Sequence, residues 1–469
     1  MGGLPRRRLV DAEPPTTTRA SADPLAGTGG GAAPPDAVDR RWRRVLRATT
    51  VDLTPLRNFR DFRLLFFGQA VSFTGSMITY VAVPFQVYTL TGSSLAVGLL
   101  SLAELGPLLV AALVGGALAD ARDRRRMVQL TELGLATISG VLLLNAVLPR
   151  PQLWILYVAA ALAATLDGLQ RPSLDALVPR IVPREEIPAA SALSSLRMNL
   201  GMVLGPPLGG LLIALAGLPA TYAVDLISFA ASLVALRLMR AVPPPPQAEP
   251  PSLRRIMEGL RYARSRPELL GSYLVDINAM LFGMPIALFP ALASRYGGAS
   301  VLGLLYAAPS VGSLLATLTS GWTSRVHRHG RAILLAATAW GLAIVGFGLS
   351  DSLWLALVML GLAGAADMVS GIFRTTLWNQ TIPDALRGRL AGIEQLSYTT
   401  GPLLGNVEAG AVAALTSVRT SVVSGGILCV AGCAVLAVLL PAFVRYDARH
   451  GAATSTSPAV SPDSAVDAR

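Results

Sequence analysis

The sequence predicts an all-α integral membrane protein: twelve transmembrane helices in two pseudo-symmetric six-helix bundles, with both termini cytoplasmic. Three observations carry that expectation. The 469 residues are 52% hydrophobic and only 14% charged, against about 25% charged in a soluble domain, and mean hydropathy is +0.55. The apolar residues gather into runs near the roughly 20 residues that a helix needs to cross a bilayer at about 1.5 Å per residue. Arginine is dense in every second loop between those runs and sparse in the others.

The runs cover approximately residues 63–89, 95–119, 126–148, 152–175, 188–216, 219–240, 268–293, 299–323, 331–349, 352–377, 388–415 and 419–444. One set of loops holds Arg122, Arg124, Arg125 and Arg126, then Arg180 and Arg184, then Arg254 to Arg266, then Arg325, Arg328 and Arg331, then Arg387 and Arg389. The opposite set holds only Arg150, Arg295 and Arg419. Basic residues accumulate on the cytoplasmic side, so the Arg-rich face is expected to be cytoplasmic. A multi-pass protein of a cell membrane follows.

Residues 1–55 are rich in Pro, Gly, Thr and Arg and read as a disordered cytosolic tail. Its stretch from Arg40 to Arg47 around Trp42 is basic and lies just before the first run, where anionic lipid attracts arginine, so a bilayer is its expected partner and nucleic acid is not. Residues 447–469 form a second polar tail. Between the sixth and seventh runs, 241–266 contain Pro243, Pro244, Pro245 and Pro246 and then a basic helical stretch; consecutive prolines make a stiff spacer. The domains expected are therefore 56–240 and 267–446.

The halves repeat. Gly205, Pro206 and Gly209 recur as Gly401, Pro402 and Gly405, and Asp167 and Pro183 as Asp367 and Pro383. Such repeats are typical of transporters whose site lies between related bundles. The two cysteines, Cys429 and Cys433, stand in an apolar run and read as packing residues, which excludes a disulfide framework or a cysteine zinc site. His327, His329 and His450 read as loop residues, and no metal or other cofactor is expected.

Two motifs are more specific. The second run ends Gly115-Gly116-Ala117-Leu118-Ala119-Asp120, followed by Ala121-Arg122-Asp123-Arg124-Arg125-Arg126. Small residues let helices approach, and a carboxylate among guanidiniums forms charge-assisted bonds that can break during a conformational change. Ordinary basic decoration would explain the arginines but not Asp120 or the glycines. The fifth run carries Gly201, Gly205, Pro206, Gly209 and Gly210, a small-residue stripe with a proline bend.

These segments resemble the loop between helices two and three of the major facilitator superfamily and the helix-five motif found mainly in its proton-exchanging exporters. Ala121 and Asp123 depart from the first pattern. From about 56 to 445 the chain is similar to the enterobactin-exporter branch and its relatives, the transmembrane secretion effectors. Val81-Ala82-Val83-Pro84, Thr91-Gly92-Ser93, Pro243 to Gln247, Gly303 to Ala308 and Pro383 with Leu386 to Arg389 carry that likeness. The resemblance implies the major facilitator fold, a conformational role for Gly116, Asp120, Arg124 and Arg125, and an antiporter role for the helix-five glycines and proline.

An ionisable group inside a bilayer costs about 2.5 to 3.5 kcal/mol on insertion scales, so each needs a partner, a wet cavity or a function. Glu104 stands near mid-depth with no base at helical spacing, which makes it the first proton-coupling candidate; Asp276 is the second. Asp167 and Arg171, and likewise Asp367 and Arg374, share helix faces and are expected to pair. Asp175, Asp225, Glu394 and Glu408 read as interfacial. Arg197 is a substrate-cavity candidate, and with Arg374 it would favour an anionic or polydentate ligand if both face the cavity.

The expectation is a monomeric secondary exporter, not an enzyme, that moves a small amphipathic metabolite against protons by alternating access, most simply a siderophore or related natural product. A broad drug efflux pump for macrolide-like substrates is the alternative, with a nutrient importer or a membrane sensor behind it. A chain without lysine has no Walker A motif, so ATP is not its internal energy source.

Overall fold

A computed structural model describes residues 52–121, 123–240, 261–262, 264–382 and 384–449, apart from the side chains of 112–121 and 384–397. The amino-terminal tail through Val51, most of the linker, Arg122 and the tail from His450 lie outside the described residues, as do the side chains of Gly116, Asp120 and Glu394.

The described residues are helical, with no strand among them, and ten stretches are long and apolar enough to cross a membrane. The helices are α1 (Arg60–Thr91), α2 (Ser94–Ala121), α3 (Arg124–Val147), α4 (Leu153–Ile181) and the run Ile187–Leu238. Gly217, at φ 79° and ψ 176°, breaks that run into α5 (187–216) and α6 (218–238). There follow α7 (Pro267–Phe282), α8 (Ala299–Leu318), α9 (His329–Leu349), α10 (Leu353–Thr381), α11 (Asp384–Leu415) and α12 (Val418–Leu439). Local chemistry sets several ends. Gly92 closes α1 in the left-handed region at φ 64°, its N–H donating to the Tyr88 carbonyl. The Asp123 carboxylate caps α3 by accepting from the Arg126 N–H at 3.2 Å.

One expected helix is interrupted. The apolar run at 268–293 holds α7, then a break at Gly283–Pro285, a 3₁₀ turn and a short helix Phe289–Tyr296. Broken backbone at membrane depth must find hydrogen-bond partners within the protein. The Trp340 indole N–H donates to the Gly283 carbonyl at 3.0 Å, and the Asn406 Oδ1 accepts the Ala287 N–H at 3.1 Å.

Packing is two-fold. In the first half α1 lies on the α5/α6 run, α2 on α4, and α3 on α4 and α6; in the second α7 lies on α11, α8 on α10, and α9 on α10 and α12. Each contact in one half recurs in the other, as the sequence repeat anticipates. The halves meet along two crossings, α5 with α8 and α2 with α11. At the first, a Cβ on Gly210 would stand 2.6 Å from the Ala299 carbonyl oxygen, and one on Gly303 would collide with the Pro206 carbonyl oxygen. At the second, a Cβ on Gly98 would stand 2.5 Å from the Asn406 carbonyl oxygen and one on Gly410 would stand 2.7 Å from that of Ser94. A buried core containing Val81, Ala82, Leu100, Leu302, Leu305 and Ala409 joins both halves here. These contacts lie in the part of each helix nearer the Arg-poor face, so the protein is sealed on that side.

The glycine stripe of α5 divides its work. Gly201, Gly205 and Gly209 face Phe73, Met77 and the Ile78 backbone of α1, while Gly210 faces α8. Both cysteines are buried and free. His329 is buried against Phe373 and Tyr446 and is not a loop residue, because α9 begins there; His327 is exposed. Gly303→Val should wedge α5 from α8. A cysteine at Leu302, fully buried in this state, is then expected to react with a bulky hydrophilic maleimide in a Cys429→Ala/Cys433→Ala background, while the same cysteine beside Gly303 stays unreactive. Equal labelling of both proteins would contradict the seal.

Candidate functional site

Between the halves, above the seal, lies a cavity of about 480 Å³. α1, α2, α3, α4 and α6 form most of its wall; the break after α7, with α8 and α11, forms the remainder. Its surface is mostly apolar, with Leu100, Leu135 and Met284 among the lining residues. Three carboxylates also line it: Glu104 from α2, Asp167 from α4 and Asp225 from α6.

Their surroundings differ. Asp225 is 1% exposed and accepts from the Thr79 hydroxyl at 2.6 Å and the Ser139 hydroxyl at 2.7 Å, with Ser228 beside it. The expected interfacial position is therefore corrected: Asp225 is anchored between α1, α3 and α6, and its helical spacing alone gave no sign of these donors. Glu104 has no hydrogen bond or ion pair among the described residues, and its electrostatic neighbours are Asp167, Tyr80 and Tyr306. Asp167 and Arg171 stand one turn apart without an ion pair within 4 Å; Arg171 is exposed and outside the cavity lining. Shared helix face is thus not pairing here, since i and i+4 side chains on α4 diverge toward different surroundings.

The Tyr80 and Tyr306 rings meet edge to face at 5.5 Å, and Tyr306 meets Phe289 at 5.1 Å. The Tyr306 hydroxyl is buried without a hydrogen-bond partner. Asn406 spans the halves: its amide donates to the Ser101 hydroxyl on α2 at 2.9 Å, while its oxygen takes the Ala287 N–H. It occupies the position equivalent to Gly210 in the repeat, so one half crosses by a gap and the other by a polar bridge.

Asp276 and Arg374 are respectively 2% and 3% exposed and form a direct ion pair, with Asp367 3.6 Å from the same guanidinium. Arg374 thus joins the expected Asp367 to a second acid from another helix. Asp276 is engaged there and is not part of the cavity lining. Arg197 is likewise outside the central cavity. It lines a second space of about 340 Å³ within the first half, with Asp175, Gln69 and Ser194. Neither Arg197 nor Arg374 faces the central cavity, so the condition for an anionic or polydentate ligand is not met, and the described lining contains no arginine.

Glu132 was not anticipated. It is 1% exposed on α3, and its Oε1 accepts from Gln69 at 2.6 Å, Ser72 at 3.1 Å and Gln170 at 3.3 Å. Its place in an apolar run two turns beyond Arg124 and Arg125 was the available signal, masked by that basic cluster. Arg124 donates to the Ala176 carbonyl at 3.0 Å, and Arg125 to those of Leu236 and Arg237 at 2.7 and 2.9 Å. These bonds tie the start of α3 to α4 and to the carbonyl end of α6, where cations are favoured.

Two related helix sets around a central, acid-bearing cavity define a membrane transporter of the major facilitator class. Solved structures share the fold. A POT family transporter in complex with 5-aminolevulinic acid superposes with a TM-score of 0.66 at 13% identity, covering 82% of this chain and 97% of that one. A bacterial homologue of the iron transporter ferroportin in an inward-facing state gives 0.61 at 17% identity, covering 82% and 98%. The family model for transmembrane secretion effectors matches residues 50–466, and the chain belongs to that family of the major facilitator superfamily. It is 32% identical over 393 residues to the enterobactin exporter EntS of Shigella boydii serotype 18 and of Escherichia coli, covering 83% of this chain and 94% of each relative. The protein is thus a multi-pass transporter of the bacterial cell membrane, not an enzyme.

Removing one partner of a buried ion pair costs about 3–5 kcal/mol because the other charge is stranded. Arg374→Met is therefore expected to lower the thermal unfolding midpoint of the purified protein sharply, and Asp276→Asn added to it should recover most of the loss. An Arg374→Met protein melting with the wild type would show that the pair is not desolvated.

Proposed function

We propose that the protein is a proton-driven exporter of a small amphipathic metabolite of siderophore type, working by alternating access. In this reading α1 to α12 are twelve spans, the halves are 56–240 and 267–446, and the Arg-rich face is cytoplasmic, in accord with the positive-inside rule. The protein works as a monomer. The cavity sealed from the Arg-poor face is then the state that loads cargo from the cytoplasm.

The observation that carries the proposal is Glu104: a carboxyl without ion pair or hydrogen bond among the described residues, in the cavity between the halves, facing a second acid on α4. Such a group can take a proton from the outer side and release it to the inner side as the seal alternates. One proton moving down about 100 mV supplies roughly 2.3 kcal/mol, enough for about a fiftyfold gradient of cargo. The helix-five glycines, Gly201 to Gly210, support the exchanger reading through their contacts with α1 and α8. The similarity to enterobactin exporters supports export and a siderophore-type cargo.

The test is transport in everted vesicles. Glu104→Gln keeps the shape of the side chain and removes its titration, so it should abolish the part of cargo uptake that an imposed pH gradient drives, while the variant remains folded and inserted. Asp276→Asn should retain that part. Normal gradient-driven uptake by Glu104→Gln would contradict the assignment.

A further inference from the structure

The cavity's charge pattern narrows the cargo beyond the siderophore type. Three acids line it, and no described lining residue is basic. Asp225 is satisfied by hydroxyl donors from α1, α3 and α6. Glu104 and Asp167 are not: neither has a hydrogen bond or ion pair among the described residues, and the Asp167 charge acts on Glu104. The groups that face them are Tyr80 from α1, Arg171 one turn along α4, Asp225 from α6 and Tyr306 from α8. Arg171 is exposed outside the lining and pairs with neither acid. Arg197 and Arg374, the remaining arginines that could have balanced the cavity, are held in the second cavity and in the Asp276 ion pair. A positive charge stabilises such carboxylates, and the described lining offers an anion no basic partner.

A second feature supplies the rest of the recognition. Tyr80 is 45% exposed, with its ring edge to face with that of the buried Tyr306. Aromatic faces attract cations and pack against apolar groups. The buried Tyr306 hydroxyl, which has no partner, is a polar atom available to a bound molecule.

We infer that the cavity is built for an amphipathic cargo carrying a positive charge, such as a protonated amine or a guanidinium, held by Glu104 and Asp167 with its apolar part against Tyr80 and Tyr306. Polyanionic cargo finds no basic partner among the described lining residues. The inference rests on the transport reading for its meaning, and it ties cargo to protons directly: the cation and the proton compete for the same carboxylates.

The near-isosteric ions tetraphenylphosphonium and tetraphenylborate, which carry opposite charge, test this on the purified full-length protein at equilibrium, without transport. The cation should bind saturably and the anion at least tenfold more weakly. Glu104→Gln should weaken cation binding at least tenfold, Asp167→Asn should weaken it as well, and wild-type affinity should fall as pH is lowered and the carboxylates are protonated. A preference for tetraphenylborate, absence of saturable binding by either ion, or cation binding unaffected by both variants would overturn the inference. The two readings fail separately. Charge-selective binding without pH-driven movement would overturn the exporter reading alone, whereas pH-driven transport with binding indifferent to sign would overturn this inference alone.

Discussion

The near-contact of backbones where α5 crosses α8 and α2 crosses α11 is the constraint on which the rest of the structure depends. In lipid there is little hydrophobic force to press helices together, so close packing of small residues has to supply the attraction. Gly210 against Gly303, and Gly98 and Gly410 against α11 and α2, leave no room for a side chain at either crossing. Asn406 adds a polar latch on one side, through Ser101 and the freed N–H of Ala287.

Most of the architecture could be read from the sequence because bilayer thickness and arginine placement act on whole segments. The expected run at 299–323 ends as α8 at Leu318, and that at 188–216 runs to the break at Gly217. What could not be read depends on neighbours from other helices. Gly283 and Pro285 were visible, but averaging over an apolar run hid the break that they make. Asp276 and Arg374 are distant in sequence, so helical spacing assigned Arg374 only to Asp367. Asp225 looked interfacial by its position along α6 and proved buried, because its hydroxyl donors come from α1 and α3 as well as its own helix. Arg197 lines a different cavity from the central one, because the face that α5 turns inward is set by its neighbours.

Buried charge is thus sorted into distinct uses. Asp276 and Arg374 neutralise each other inside the second half, Glu132 gathers amide and hydroxyl donors inside the first, and Glu104 with Asp167 remains open to the space between them. An unpaired acid is costly in a membrane interior, and the proposed proton exchange gives Glu104 a use at the interface of the two bundles.

The central claim is that the seal at the Arg-poor face opens as the Arg-rich face closes. Electron spin distance measurements in lipid nanodiscs, at high and low pH, test it with one label pair at Leu148 and Leu415 and another at Arg126 and Arg325, all exposed positions on opposite halves. The account predicts two populations whose distances change reciprocally, the first pair lengthening as the second shortens. Distances that stay fixed in both pairs, or that lengthen together, would contradict it.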